Sequence, residues 1–293
     1  MAGARQIVDP PAFTTLPHGL WDSIEQPTTP GSHWQQGITW MERCPTGDTT
    51  YDPCLSVTGT GAPAAPATKT GNVEQTTRGA TPFTVYAQFE CSAVGVGDAA
   101  TVGADALARV EQRQVETAFW TGVAGGQPVV FPHLAADAEV FDSQGILLQP
   151  TATPTVTGAD AAHALGALEQ ALADCYAGQG LIHVPPKALP TLAGSSLVRD
   201  VDGRLFTPAG NRIVVGGGYT GSGPDGTPTA AGTSWIYATG AAFGYRSGVY
   251  VSPVRESLDR STNTLHMLAE RTYVIGYECC LLAAHIALGV PTE

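Results

Sequence analysis

Charge is scarce in this sequence, and lysine is almost missing. Charged residues make up 14% of the chain, whereas soluble domains average roughly a quarter. Lys69 and Lys187 are the two lysines, and the formal net charge is −12. Because nucleic-acid binding needs clustered cations, this balance argues against a protein that holds phosphates. So few charged residues imply that much of the surface is uncharged. Such a surface is best explained if neighbouring subunits cover part of it, and we therefore expect an oligomer.

Long apolar runs are missing as well. No stretch approaches the roughly 18 apolar residues of a membrane span. The opening MAGARQIVDPP lacks the apolar core of a secretory signal. We therefore expect a protein that is made in the cytoplasm and has no membrane partner.

The six cysteines lack the spacing of a metal site. They form neither a C-x-x-C motif nor a paired Cys/His pattern, so we expect reduced structural thiols and no bound metal. Cys44 and Cys54 flank PTGDTTYDP and could bridge in an oxidising medium. Cys279 and Cys280 are expected on opposite faces of a strand, where they would fill packing space.

The familiar catalytic motifs are also lacking. VVGGGYTGSG is glycine-rich, but it has neither the Gly-Lys-Ser/Thr ending of a phosphate loop nor a G-x-G-x-x-G frame with a following helix. We interpret it as a glycine-rich turn. The sequence contains no G-x-S-x-G elbow and no H-E-x-x-H motif.

A few single residues are candidates for catalysis by residue type. His183, in GLIHVPP, lies in a buried-looking strand and is interpreted as a core or interface imidazole, because a general base needs a positioned partner. Glu270 and Arg271 could form an ion pair or join a network, and they are interpreted as structural charges of a strand at a subunit boundary. Asp160 and Asp174 have no spacing that demands a shared site. The sequence therefore predicts no catalytic, cofactor-binding or metal-binding residue, no cofactor and no enzymatic activity.

The beginning of the chain has an extended character. Residues 1–33 contain five prolines and few periodic apolar positions, which is typical of an extended arm. ITWMERC (38–44) and PFTVYAQFEC (82–91) alternate like strands. GTGAPAAPATKTG (59–71) lies between them. Structureless loops of such length are uncommon inside a compact domain, so we predict a long hairpin with a protruding tip.

The clearest helix is predicted from Asp98 to Trp120, with Gly122 as its stop. Its apolar residues lie near one face: Ala104, Leu107, Ala108, Val115, Ala118 and Phe119. Ion pairs on the remaining surface are expected between Asp105 and Arg109 and between Arg113 and Glu116. The pattern predicts a long helix that is covered on one side.

A compact α/β unit is predicted next. A helix runs from about Asp160 to Tyr176 and is ended by Gly178, and its apolar stripe consists of Leu165, Leu168 and Leu172. LIHV follows as a buried strand and PPKALPTLAG as a helix. Arg204–Thr207 and Arg212–Val215 then form a hairpin across PAGN.

The C-terminal part is rich in strand-forming residues. SWIYATGAAFGYRSGVYVSPV (234–254) and TLHMLAERTYVIGYECCLLAAHIAL (264–288) carry many Tyr, Val, Ile and Leu residues. The second segment is long enough for two strands or one bent strand. We expect these strands to pair with the strand near 82–91, so that the late chain closes the domain around the middle insertion.

This order of segments resembles the major capsid protein of tailed bacteriophages, of the actinobacterial-phage type, which has the Hong Kong 97 fold. ALEQALADCYAGQGLIHVPPKALPTL, GRLFTPAGNRIVVGGGY and NTLHMLAERTYVIGYECCLLAAHIAL carry the resemblance together with the architecture. It covers nearly the whole chain and implies an α+β fold. Its parts would be an N-arm (1–33), an E-loop hairpin (34–90), the first part of the P-domain with a long spine helix (91–153), an α/β A-domain (154–232) and the returning P-domain strands (233–293).

The resemblance implies a subunit that self-assembles into hexamers and pentamers of an icosahedral phage head around double-stranded DNA. It implies no sequence-specific DNA binding, a place in the virion capsid after assembly in the host cytoplasm, and scaffold, portal and decoration proteins as candidate partners. The loop tip at 59–71 would be ordered by packing on a neighbouring subunit. Some members join a loop lysine to a neighbour's asparagine. Lys69 holds the matching position here, and the candidate asparagines are Asn72, Asn211 and Asn263.

Two alternatives stay open. An encapsulin, the shell of a bacterial nanocompartment, shares this fold and holds a cargo enzyme. An oligomeric hydrolase or binding protein that uses the A-domain belongs to a different class, and His183 or Glu270 would then be essential. The acidic balance favours a shell wall that does not grip the DNA it encloses.

Overall fold

The computed structural model describes residues 11–28, 31–45, 76–92, 98–254 and 257–289. The predicted loop tip at 59–71 lies outside these ranges, as do Cys54, Lys69 and Asn72.

The described residues form a mixed α+β fold. The helices are α1 (Leu20–Ser23), α2 (Ala99–Thr121), α3 (Ala161–Cys175) and α4 (Leu189–Gly194), with single 3-10 turns at His33–Gln36 and Pro224–Gly226. The strands are β1 (Ile38–Met41), β2 (Thr77–Ala80), β3 (Phe83–Ser92), β4 (Val123–Ala124), β5 (Gln127–Pro128), β6 (Val140–Phe141), β7 (Leu147–Gln149), β8 (Thr153–Ala159), β9 (Leu181–Val184), β10 (Arg199–Val201), β11 (Arg204–Phe206), β12 (Arg212–Val215), β13 (Thr233–Thr239), β14 (Ala242–Arg246), β15 (Tyr250–Val251), β16 (Leu258–Asp259), β17 (Thr264–Tyr277) and β18 (Leu281–Ala287). Of the described helices, none combines the length and the apolar character that a bilayer crossing requires.

The long helix α2 confirms the predicted helix. Asp98 caps it by accepting a hydrogen bond from the Thr101 N–H (3.1 Å), and Gly122 ends it in the left-handed conformation, at φ 76°. Glycine adopts this conformation without the steric cost that a Cβ brings. The buried side is rotated from the predicted one, because Ala108 is exposed and Trp120 is fully buried.

The buried side of α2 differs from the predicted one because aromatic side chains surround Trp120 at the end of the helix. The Trp120 ring lies 4.8 Å from the ring of Tyr219 and 4.9 Å from that of Tyr237, both of which belong to the second half of the chain. Aromatic rings at such distances pack favourably edge to face or tilted. The expected ion pair of Arg109 is wrong, since this side chain lies over the ring of Phe13 at 5.5 Å.

A sheet around β17 packs on one side of α2. The ten residues of β3 pair antiparallel with β17 from Thr264 to Tyr273, while β14, β15 and β16 pair with its other edge. The inward residues of β3 and β17 share a core with α2: Phe83, Val85, Ala269 and Tyr273 with Leu107, Val115 and Phe119. The expected pairing of the C-terminal strands with the strand near 82–91 is confirmed for β17.

The predicted hairpin has a different second strand. β1 pairs antiparallel with β2, at Thr77–Ala80, and β3 leaves the hairpin to join β17. The predicted pairing of 38–44 with 82–91 is therefore wrong. The physical reason is that β3 has an apolar side that α2 covers, so its burial is larger in the long sheet than in an exposed hairpin. β2 also bridges to β7, which places the hairpin root in a four-stranded sheet.

A second, seven-stranded sheet has the order β10-β11-β12-β9-β13-β18-β8. The predicted LIHV strand is its β9, the helix after it is α4, and the hairpin across PAGN is β11 and β12, so these predictions are confirmed. The leucine stripe of α3 packs on one face of the sheet, among Ile182, Ile236 and Ala284. α3 ends at Cys175, one residue before the predicted last residue Tyr176, because Ala177 and not Gly178 takes the left-handed conformation (φ 57°).

The last segment of the chain divides between the two sheets. It forms two strands, β17 and β18, and β18 pairs with β13 and β8 in the seven-stranded sheet. The seven-stranded sheet therefore takes strands from both of the predicted ranges 154–232 and 233–293.

The cysteines correct the expectation of reduced packing thiols. Cys44 is bonded to Cys279 and Cys175 to Cys280, with Cα atoms 5.4 and 6.2 Å apart. Cys279 lies in the turn between β17 and β18 at φ 61°, so the two neighbouring side chains reach different elements rather than two faces of one strand. Cys44 thus has Cys279 as its partner and not Cys54.

Candidate assembly surfaces

His183 lies in the centre of the protein, on the face of β9 that meets α2. Its Nδ1 is 3.0 Å from the Tyr219 hydroxyl and its Nε2 is 3.0 Å from Thr239 Oγ1. The side chain is fully buried, and this burial lowers the pKa of His183 to about 3. A neutral imidazole with both nitrogens hydrogen-bonded inside the core acts as a structural crosslink between strands.

Glu270 and Arg271 lie on opposite faces of β17, because consecutive residues of a strand point to opposite sides. Arg271 faces α2 and donates to Glu111 Oε1 at 2.9 Å. The Tyr273 hydroxyl donates to the same oxygen. The predicted pairing of Glu270 with Arg271 is therefore wrong, but the alternative that such a residue joins a network holds for Arg271, which connects the sheet to the long helix through Glu111.

The glycine-rich run VVGGGYTGSG passes directly over α2. The Gly218 N–H donates to Glu116 Oε2 (2.9 Å), and the Gly218 carbonyl accepts from Thr117 Oγ1 (2.9 Å). A Cβ at Gly218 would overlap the carbonyl oxygen of Arg113. The glycines thus permit a close backbone approach to the helix, in agreement with the interpretation of this run as a turn.

Glu116 joins three separate segments at this contact. Its carboxylate accepts hydrogen bonds from the Leu20 N–H (3.1 Å), the Gly218 N–H (2.9 Å) and Gln112 Nε2 (3.2 Å). The residue is 1% exposed, and burial raises the pKa of Glu116 although these hydrogen bonds oppose the shift. The expected pair with Arg113 is wrong. Sequence reasoning missed this role, although Glu116 lies beside Val115 and one turn before Phe119 and Trp120, on the side that is buried.

The root of the β1–β2 hairpin is fixed by a buried ion pair. Arg78 pairs with Glu42, and the two side chains are 7% and 5% exposed. Arg78 also donates to the Cys279 carbonyl, and the Cys279 N–H donates to Glu42 Oε1 (2.9 Å). Buried charges need such partners, because an unpaired charge in the interior would be costly. The hairpin thus leaves the body of the protein from a rigid base.

One long strand edge forms no strand pairing in the described part of the chain. β3 pairs only with β17, so its outer edge presents ten residues of backbone. By contrast, the edge of β14 is covered, since Glu25 exchanges backbone hydrogen bonds with Ala242 and Gly244 (3.0 and 2.9 Å). Unpaired edges are templates for pairing with another chain.

The outer face of the same sheet carries large apolar side chains. Tyr250, Glu270 and Tyr86 are direct cross-strand neighbours, and the two tyrosines are 52% and 54% exposed. A groove beside the β3 edge is lined by Phe83, Thr84, Tyr86, Ala124 and Gly125. Tyrosine is enriched at protein interfaces because it combines a large contact area with a polar group.

Comparison with solved structures shows that this fold is similar to that of capsid proteins. The capsid of an empty GTA particle, computed with C5 symmetry, matches 98% of this chain and 95% of its own chain, at 14% identity and a TM-score of 0.56. The capsid of Ralstonia phage GP4 matches 100% and 97% at 10% identity, with a TM-score of 0.54. The chain has the Hong Kong 97-like capsid fold. A chain of Mycobacterium phage Adephagia matches 99% of this chain and 96% of its own, at 11% identity and a TM-score of 0.52.

The likeness lies in the structure and not in the sequence. No protein-family model and no curated protein matches this chain. Since the capsid fold is recognised at only 10–14% identity in the three matches above, residue roles do not transfer from those structures by position.

Of the residues named above for a lysine–asparagine cross-link, Asn211 and Asn263 lie in the described part of the chain. Asn211 is buried, and its amide donates to Glu169 Oε1 (3.3 Å) and accepts from the Gly180 N–H (3.0 Å). Asn263 is exposed in the turn before β17, at φ 53°. Lys69 and Asn72 lie outside the described residues, so the cross-link stays a prediction.

One cluster has metal-ligand side chains. Donor atoms of Glu42, Cys44 and Cys279 lie within 4.8 Å of one another. The two sulfurs are bonded to each other and the carboxylate is paired with Arg78, so these donors are already engaged.

Proposed function

We propose that this protein is a major capsid subunit that assembles into hexamers and pentamers of an icosahedral phage head around double-stranded DNA. The observation that carries the proposal is the match over 98–100% of the chain to capsids of two particles, which leaves no large part of the fold for another role. A location in the virion and the absence of catalysis belong to the same proposal.

The named parts of the capsid fold can be assigned within this proposal. Residues 1–33 act as the N-arm, 34–90 as the E-loop segment, and 91–153 as the first part of the P-domain with α2 as spine helix. Residues 154–232 form the A-domain, and 233–293 return as P-domain strands. Because β13 pairs with both β9 and β18, the returning segment also completes the A-domain sheet.

The uncovered edge and outer face of the long sheet support assembly. An edge of ten residues and exposed tyrosines beside it would risk nonspecific aggregation in a monomer. In a closed symmetric shell the same groups find a defined partner in a neighbouring subunit. The rigid hairpin base, fixed by Glu42 and Arg78, supports an E-loop that reaches such a neighbour in a set direction.

The acidic charge supports a container and not a DNA reader. The formal net charge of −12 gives the chain an overall repulsion toward phosphates. DNA would therefore be enclosed without sequence-specific contacts. The proposed place of assembly is the host cytoplasm, and scaffold, portal and decoration proteins remain candidate partners.

No observation in the described part of the chain favours the encapsulin or the hydrolase. Negative-stain electron microscopy of the purified chain tests the proposal. We expect angular closed shells or ring-shaped capsomers, whereas small uniform cages would favour the encapsulin and a monodisperse small oligomer would contradict a shell. Deletion of 59–71 should leave a folded subunit that builds no closed shell. Normal shells from this deletion would contradict the role given to the loop.

A further inference from the structure

Two neighbouring cysteines hold three parts of the protein together. Cys279 connects the β17–β18 turn to Cys44, next to the hairpin root, and Cys280 connects the same turn to Cys175 in the last turn of α3. The bonds close loops of 235 and 105 residues in sequence separation. Bonds that close long loops restrict the unfolded chain most.

We propose that these four cysteines are a redox-dependent clamp, open as thiols in a reducing compartment and closed by a low-molecular-weight disulfide such as oxidised glutathione. The inference goes beyond the proposed capsid function, since it concerns the single subunit and is tested without assembly.

The paired cysteines lie at bonding distance, and contacts other than the disulfide hold Cys279 in place. The Cα atoms lie 5.4 Å apart in the first pair and 6.2 Å apart in the second, both inside the range that disulfides span. Near the first pair, Arg78 donates to the Cys279 carbonyl and Glu42 accepts from the Cys279 N–H. These contacts need no disulfide, so we expect the reduced subunit to keep Cys44 and Cys279 in register.

The neighbouring cysteines are directed away from each other. Consecutive Cα atoms are about 3.8 Å apart, which is below the range for an ordinary disulfide. The left-handed conformation of Cys279 (φ 61°) turns its side chain toward the hairpin, while Cys280 packs with α3. A bond between Cys279 and Cys280 is thus disfavoured, and two separate bonds form.

Burial differs within each pair and predicts the order of events. Cys44 and Cys175 are half-buried, whereas Cys279 and Cys280 are 7% and 8% exposed. The half-buried thiolate attacks oxidised glutathione, breaking its S–S bond and releasing one glutathione thiolate, which takes up a proton. The buried thiolate then attacks the protein sulfur of the mixed disulfide, and the second glutathione thiolate leaves. Each closure oxidises two protein thiols and reduces one oxidised glutathione to two glutathione molecules.

The test follows thiols in the purified full-length chain at a concentration below assembly. The reduced chain is exposed to oxidised glutathione, then alkylated and mapped by mass spectrometry without reduction. We expect four of the six thiols to be lost, crosslinks of Cys44 to Cys279 and of Cys175 to Cys280, and a higher unfolding temperature than in the reduced chain. Brief exposure should give glutathione adducts on Cys44 and Cys175 before any on the buried pair.

Variants make the test specific. Cys280→Ser should lose the bond to Cys175 and keep that between Cys44 and Cys279, while Cys54→Ser, a control at a position outside the described residues, should keep both. Arg78→Gln should slow closure of Cys44 with Cys279 several-fold, with closure of Cys175 with Cys280 as the internal reference. Circular dichroism of each reduced variant reports folding. Persistent alkylation of Cys279 and Cys280 after oxidation in the folded wild type, or crosslinks to Cys54, would overturn the clamp.

Discussion

Replacing Glu116 tests whether one buried carboxylate holds the arm, the long helix and the glycine-rich run together. Glu116→Ala removes the acceptor of the Leu20 and Gly218 N–H groups, both of which lie in buried surroundings. Each unsatisfied buried donor costs about 1–3 kcal/mol, so the structure gives a loss of about 2–6 kcal/mol. Removing a desolvated carboxylate offsets part of it, and we therefore expect a net loss of about 1–4 kcal/mol in the free energy of unfolding.

The dependence on pH separates the carboxylate from its packing. Burial raises the pKa of Glu116 above its ordinary value of 4.5, so the folded state binds more protons than the unfolded state between these two values. Stability from this group is therefore present below pH 4.5 and is lost as the pH rises through the raised pKa. Glu116→Gln does not titrate, so it should lack this component of the pH profile.

Urea unfolding followed by circular dichroism measures both effects, at a protein concentration low enough to keep the subunit unassembled. Glu139→Ala is the control, because Glu139 is exposed and should change stability by less than about 0.5 kcal/mol. Limited proteolysis should cut the arm segment before Leu20 faster in Glu116→Ala than in the wild type. A Glu116→Ala protein as stable and as protease-resistant as the control would refute this account of the contact.

Three further predictions concern the core and the exposed face. His183→Leu should cost about 1–3 kcal/mol, because the Tyr219 hydroxyl loses its partner. Burial lowers the pKa of His183 to about 3, so the wild type should lose stability as the pH falls below the ordinary histidine value of 6.5. Acid titration of the His183→Leu variant should lack this loss. Gly218→Ala should prevent close packing on α2 and lower the melting temperature in calorimetry, whereas Gly166→Ala, at an exposed site of α3 where a Cβ meets nothing within 4 Å, should not lower it. Tyr86→Arg should leave the subunit folded but reduce assembly seen by light scattering, with Tyr86→Phe as control, and unchanged assembly of Tyr86→Arg would remove this face from the proposed interface.

Local signals made part of the fold predictable. Asp98 and Gly122 cap the two ends of α2, and both residue types are local signals for helix ends. The bounds of this helix could therefore be predicted from the sequence. The leucine stripe of α3 likewise predicts which side is buried. The strand pairing of the hairpin was not predictable, because 77–80 (TRGA) lacks the apolar alternation that marks 83–91 as a strand. The observed choice depends on where α2 packs.

The supporting contacts were harder to predict because they join distant parts of the chain. Glu116 fits an exposed pair with Arg113 as well as a buried role, and only the approach of Gly218 decides between them. The partners of Cys279 and Cys280 depend on a left-handed turn that residue type alone does not indicate. The exposed edge of β3 depends on the pairing of its other edge with β17, which no local pattern encodes.

The mass of the purified chain in solution tests the central claim most directly. Sedimentation velocity over a wide range of concentrations, with electron microscopy of the same fractions, measures it. We expect capsomer-sized or shell-sized particles whose fraction increases with concentration. A single 30.3 kDa species at every concentration, with no particles in the images, would contradict the account.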